Sequence, residues 1–175
     1  MRMNIIVELL NKENTEGRIT KEVNGLNVGY RMAEVSDGKL KSFPITEKNI
    51  AMMPLGYGDI YAEALRNTQR LLPAKTITMA DYFGVDDSTK NIWILTNAAE
   101  RYGASVILYK NLLSKMRQVV GGDFYIMPSS IHEVLIVPAE DACRKDLEAM
   151  VMAVNAEAVT PEERLGERVI LYAEE

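Results

Sequence analysis

Cysteine is nearly absent: Cys143 is the only one in 175 residues. No intramolecular disulfide can form, and a lone thiol fits a reducing, cytoplasmic compartment. Histidine is equally scarce, with His132 alone. One histidine and one cysteine exclude a structural zinc site, although a site built from carboxylates stays open. The Asp-x-Asp-x-Asp-Gly spacing of a calcium loop is missing too. No metal and no cofactor are therefore expected. No apolar run approaches the ~20 residues of a membrane-spanning helix. The opening "MRMNIIVELLNKEN" is interrupted too soon by Glu8 to act as a signal peptide. A basic stripe is also missing. The formal charge is −5, and ten acidic residues against four basic ones fall between Glu140 and Glu175. The remainder is close to neutral, so neither nucleic acid nor an anionic membrane is an expected partner.

What is present is a chain of 47% hydrophobic and 26% charged residues, enough to enclose a real core. The expectation is one α+β domain over residues 1–175. Asn4–Leu10 is rich in β-branched residues and reads as a strand. Leu26, Val28 and Tyr30 share a face by period two, and Asp37-Gly38 turns the chain. "EKNIAMM" reads as a third strand. From Ile60 the period changes: Ile60, Ala64, Leu65, Thr68 and Leu72 line one face of a helix, capped by Asp59 and stopped by Pro73. "ITMADYFG" reads as a short helix and "VDDSTK" as a loop. "NIWILTN" and "ASVILY" read as strands, with one helical turn at "NAAERYG" between them. "KNLLSKMRQVVGG" is a helix ended by two glycines. "DFYIMP" and "HEVLIVP" are an antiparallel pair around "SSI". "EDACRKDLEAMVMAVN" is a helix carrying Cys143 on its apolar stripe, where a buried, inert thiol is expected. "TPEERLG" gives a short helical turn and "RVILYAE" a last strand. Strands and helices do not alternate strictly. The reading is a largely antiparallel or mixed sheet with about three main helices, in a recurrent strand-strand-helix order.

Chemistry concentrates at "SSIHE", with Ser130, His132 and Glu133 as the candidate catalytic residues. "HEVLI" begins like a zinc metalloprotease motif, but Ile136 stands where the second histidine is needed. In a strand, Ser130 and His132 point to the same face, so the imidazole could act as base for the hydroxyl. No Gly-x-Ser-x-Gly elbow accompanies them. The competing reading is structural: Ser129 and Ser130 supply turn hydroxyls and His132 hydrogen-bonds at the sheet edge. "GYGD" has two glycines but no Lys-Ser or Lys-Thr pair, and reads as a plain turn.

"LRNTQRLLPA", "WILTN", "YGAS", "GGDFYIMPSSIHEVLIVP" and "VNAEAVTPEERL" occur in an order that resembles a bacterial domain-of-unknown-function family, number 5688. The resemblance covers roughly Ile60 to Tyr172, and Asp123–Pro138 is its most distinctive part. It implies a bacterial, intracellular protein and a shared fold. Family members run longer at the N-terminus, so the chain reads as a short member or the C-terminal part of a longer architecture. No activity is carried over to Ser129, Ser130, His132 or Glu133.

Two functions follow as expectations. The first is a non-enzymatic protein-binding or adaptor module that uses an apolar surface toward a protein partner or its own copy. It rests on the lack of a convergent catalytic set, a metal cluster, a nucleotide loop or a basic patch. The alternative is a small hydrolase or transferase using Ser130, His132 and an acid such as Glu100 or Asp123.

Overall fold

A computed structural model describes residues 4–52, 60–85 and 91–173. Asp59, "GYGD" at 56–59 and Asp86-Asp87 lie outside the described residues. The chain forms two compact units, Met1–Pro73 and Ala74–Glu175. It is an α+β protein, and among the described residues the strands form two sheets with antiparallel pairings throughout.

The first unit is built on β3 (Leu26–Ser36). It pairs along one side with β1 (Asn4–Leu10). Along its other side it pairs first with β2 (Thr20–Val23) and then with β4 (Lys39–Pro44). β1 is buried from Ile5 to Leu10 because α1 (Ile60–Leu71) packs against it. An edge strand presents unpaired N–H groups. Here the Val7 N–H donates to the Thr68 hydroxyl (2.9 Å), which itself donates to the Ala64 carbonyl (2.6 Å). Thr68 thus satisfies a buried donor that no strand reaches.

Burial of both faces of β1 also buries Glu8, at 1% exposure. Glu8 stands opposite Gly29, and Arg31 is its diagonal neighbour on β3. The Arg31 Nη1 donates to both carboxylate oxygens (3.2 Å each), and its Nε donates to the Ser42 hydroxyl (2.9 Å). Arg18 completes the set by pairing with Glu8. A Cβ at position 29 would stand 2.6 Å from the Leu10 Cδ1, and only in ordinary contact, 3.5 Å, with the Arg18 guanidinium. Glycine there makes room for the buried Leu10 side chain.

The second unit is a five-stranded sheet in the order β5-β6-β8-β7-β9. The strands are β5 (Ala74–Thr78), β6 (Trp93–Asn97), β7 (Phe124–Met127), β8 (Val134–Pro138) and β9 (Ile170–Tyr172). The "DFYIMP"/"HEVLIVP" pair is β7-β8, and β8 is central and largely buried, as its unbroken apolar run implies. α2 (Met79–Phe83) follows β5, with the Thr78 hydroxyl accepting from the Asp81 N–H (3.0 Å) and Gly84 closing it in the left-handed region. α3 (Leu112–Val120) ends at Gly121, also left-handed. α4 (Arg144–Glu157) lies over β7 and β8, where Leu147 and Val151 join Met127, Val137 and Val169 in one core. The order strand, strand, helix occurs at β3-β4-α1 and again at β7-β8-α4.

Four readings are corrected. "EKNIAMM" is not a strand: Thr46–Asn49 turns, and Ile50–Met52 forms a 3-10 helix. The Asn49 side chain accepts from the Thr46 N–H and donates to the Pro44 carbonyl, so the backbone is satisfied locally. "ASVILY" falls in a buried 3-10 helix, Gly103–Leu108. A short apolar run is ambiguous between a buried strand and a buried helix, and here the helix won. "NAAERYG" forms a turn without a helix, because Glu100 and Tyr102 take left-handed conformations. Cys143 is exposed at the N-cap of α4, one residue ahead of its first turn. α4 buries Leu147, Val151 and Asn155 at four-residue steps, and this turns Met150 and Val154 outward.

Candidate functional site

The segment Ser129–Glu133 crosses between β7 and β8 and is tied down from three directions. Residues 160–165 hold it on one side: the Ile131 N–H donates to the Glu163 carbonyl (2.9 Å) and the Leu165 N–H to the Ser129 carbonyl (3.1 Å). The start of the 3-10 helix holds it on another, where the Ala104 N–H donates to the Ile131 carbonyl (3.2 Å). From β6, the Thr96 hydroxyl donates to the His132 carbonyl (2.8 Å). Gly103 lets these pieces meet. A Cβ there would overlap the Thr96 hydroxyl and the His132 carbonyl oxygen.

Ser130 and His132 are brought together, but not as nucleophile and base. The Ser130 hydroxyl oxygen accepts from the His132 backbone N–H (2.9 Å), a turn bond within the segment. The imidazole is used elsewhere. Its Nδ1 accepts from the Tyr102 N–H (3.1 Å), which places the ring proton on Nε2, 3.2 Å from the Glu163 carboxylate. Of the acids suggested for the ring, Glu100 pairs with Lys75 and Asp123 with Arg117 (3.0 Å). Glu163 was not anticipated, since 31 residues separate it from His132 and only the fold joins them. Among the described residues no three His, Cys, Asp or Glu side chains group as a metal site. No helix there is long and apolar enough to cross a membrane.

Glu133 is different. Its carboxylate accepts from the Ser130 hydroxyl and lines a cleft of about 400 Å³ in the second unit. The cleft floor is one face of the sheet. Ile77 faces Ile94 across β5-β6, and Ile94 faces Leu135 across β6-β8, giving an apolar row three strands wide. Lys75 and Thr96 form a parallel polar row on the same face. Leu135 also packs against the core under α4. Toward β5 and β6 the same face opens outward, between Met79, Tyr82 and Phe83 of α2 and Val154 of α4. Tyr82 and Phe83 stack edge to face, with centroids 5.1 Å apart, yet stand 55% and 65% exposed. Met150, one turn before Val154, extends the apolar surface along α4. A second hollow of about 450 Å³, between Arg117, Asp123 and Pro138, is slightly larger. Its Arg117 and Asp123 neutralise each other and it lacks an aromatic rim, so it gives no comparable binding chemistry.

A family model described as a family of unknown function (DUF5688) matches residues 1–174. The chain belongs to this family. No solved structure matches it. Membership in DUF5688 assigns no activity to any residue.

Burial raises the Glu133 pKa above the ordinary glutamate range, against smaller lowering by Ser130 and His132, and Glu163 adds to the rise. The folded chain therefore holds this proton more firmly than the unfolded chain. The associated stability is present below the ordinary value of about 4.3 and is lost as pH rises through the raised value. Glu133→Gln removes that loss. It should raise the melting temperature at neutral pH, with the gain closing near about pH 4. Thermal unfolding of both proteins at the two pH values checks this. An equal difference at both, or a destabilised variant at neutral pH, would count against it.

Proposed function

We propose that this DUF5688 chain is a non-enzymatic protein-binding module and that the cleft of the second unit is its binding surface. The observation carrying the reading is the cleft whose floor is the apolar row Ile77–Ile94–Leu135, Ile77 and Leu135 partly buried and Ile94 buried, with the exposed pair Tyr82 and Phe83 at its rim. Large exposed aromatic residues beside an apolar floor are what interface anchors consist of. The single, exposed Cys143 supports a reducing setting, and the proposal places the module in the bacterial cytoplasm. The hydrolase alternative draws no support from the geometry, because both ring nitrogens of His132 are occupied and neither meets the Ser130 hydroxyl.

The double variant Tyr82→Ser, Phe83→Ser tests the proposal. Both side chains are exposed, so the melting temperature should move little. Sedimentation velocity and native co-purification should show a defined assembly for the wild type, with affinity lowered at least about tenfold in the variant. A wild type that forms no assembly, or an assembly indifferent to both substitutions, would overturn the reading.

A further inference from the structure

The cleft carries a charge pattern as well as an apolar shape. Three charged side chains line it: Lys75, Glu100 and Glu133. Lys75 and Glu100 form a salt bridge with each other at the rim. Glu133, half-buried beside Leu135, has the Ser130 hydroxyl as its hydrogen-bond partner. The floor is thus apolar with one negative charge that no lysine or arginine of the lining balances. Beside Glu133 stand only the Ser130 hydroxyl, His132 and a second acid, Glu163, so a purely apolar ligand would remove the remaining water from a carboxylate that has no lysine or arginine in the lining, at a cost. An acidic ligand would add a second negative charge. A ligand that joins a large apolar group to a cation avoids both costs.

We infer that the occupant of this cleft is a partner polypeptide segment that seats an aromatic or aliphatic side chain on Ile77, Ile94 and Leu135 and directs a lysine or arginine to Glu133. The inference rests on the protein-binding reading above and names the chemistry of the partner. Burial holds the Glu133 pKa up, as expected of a carboxylate waiting for a counter-charge. The anchor packs between the Tyr82–Phe83 pair and Val154. The cation then forms a charge-assisted hydrogen bond in a partly desolvated place, where such bonds are strongest.

The test is selection of random phage-displayed dodecapeptides on the full chain, followed by binding of the synthetic winners measured by fluorescence polarisation. The winners should pair a Phe, Trp or Leu with a Lys or Arg a few positions away. Glu133→Gln should weaken them about tenfold or more, as expected for a lost charged hydrogen bond. Replacing the peptide's cation with norleucine should cost the wild type the same factor and cost Glu133→Gln almost nothing, which isolates the pair. Winners that depend on Tyr82 and Phe83 but carry no cation, and bind Glu133→Gln equally, would overturn the inference and leave the protein-binding reading intact. So would a dimer of the chain that Phe83→Ser dissociates and no peptide displaces, since a second copy would then fill the cleft. Winners whose binding ignores Tyr82 and Phe83 would overturn the inference and count against the reading beneath it.

Discussion

Gly103→Ala is expected to lower stability by about 3 kcal/mol, the upper end for forcing an extra methyl into a packed interior. The added Cβ would overlap the Thr96 hydroxyl and the His132 carbonyl and stand 2.9 Å from the Asn97 amide nitrogen. Two of these three are backbone atoms held by the sheet and its strapped segment, so neither can swing away. The Thr96–His132 bond would be the first casualty, and with it the seat of Glu133 at the cleft floor. Gly122→Ala is the matched control. A Cβ there meets nothing within 4 Å, so its effect should stay within about 0.5 kcal/mol. Chemical denaturation of the two variants decides the point. Equal stabilities would mean that the segment is not clamped at Gly103.

Arg31→Met carries the second large effect, in the first unit. It removes the two bonds from Nη1 to the buried Glu8 and the two bonds to the hydroxyl and carbonyl of Ser42, leaving Arg18 as a cation on Glu8. Breaking a buried ion pair from one side costs about 3 kcal/mol, and a melting temperature roughly 6–10 °C lower should follow for a chain of this size. Removing the carboxylate as well should restore much of the loss, since the cost comes from a stranded charge more than from a missing attraction. The cycle of Glu8→Gln, Arg31→Met and the double variant should therefore show a coupling above about 1 kcal/mol. Additive effects would indicate that water reaches Glu8.

Much of the fold was legible because the decisive strands are apolar. β1, β3, β6 and β8 announce themselves through β-branched runs or period-two alternation. β2, β4 and β5 were missed for the opposite reason: Thr20–Glu22 and Ala74–Thr76 are exposed and Lys39–Pro44 has no buried residue, so their sequences carry no buried face to read. The run at 104–108 misled because burial on all sides erases the period that separates helix from strand. At the candidate site, the turn character of "SSIH" was readable from serine chemistry alone. Its clamps were not. Thr96, Tyr102, Gly103 and Glu163 come from segments about 30 residues away on either side, and only the sheet and the 3-10 helix bring them together. Glu133 was named on its neighbours, whereas its role depends on the cleft. That cleft lies where α4 turns Leu147 and Val151 inward over β7 and β8, while β5 stays largely exposed and Tyr82 and Phe83 stand at the rim.

Site-specific photocrosslinking in living cells tests the central claim most directly. A benzophenone amino acid replaces Tyr82 at the cleft rim, and in a control replaces the exposed Gln118 on α3. The account predicts a discrete protein adduct from position 82, abolished by Phe83→Ser and not formed from position 118. The same adducts from both positions, or none from position 82, would contradict it.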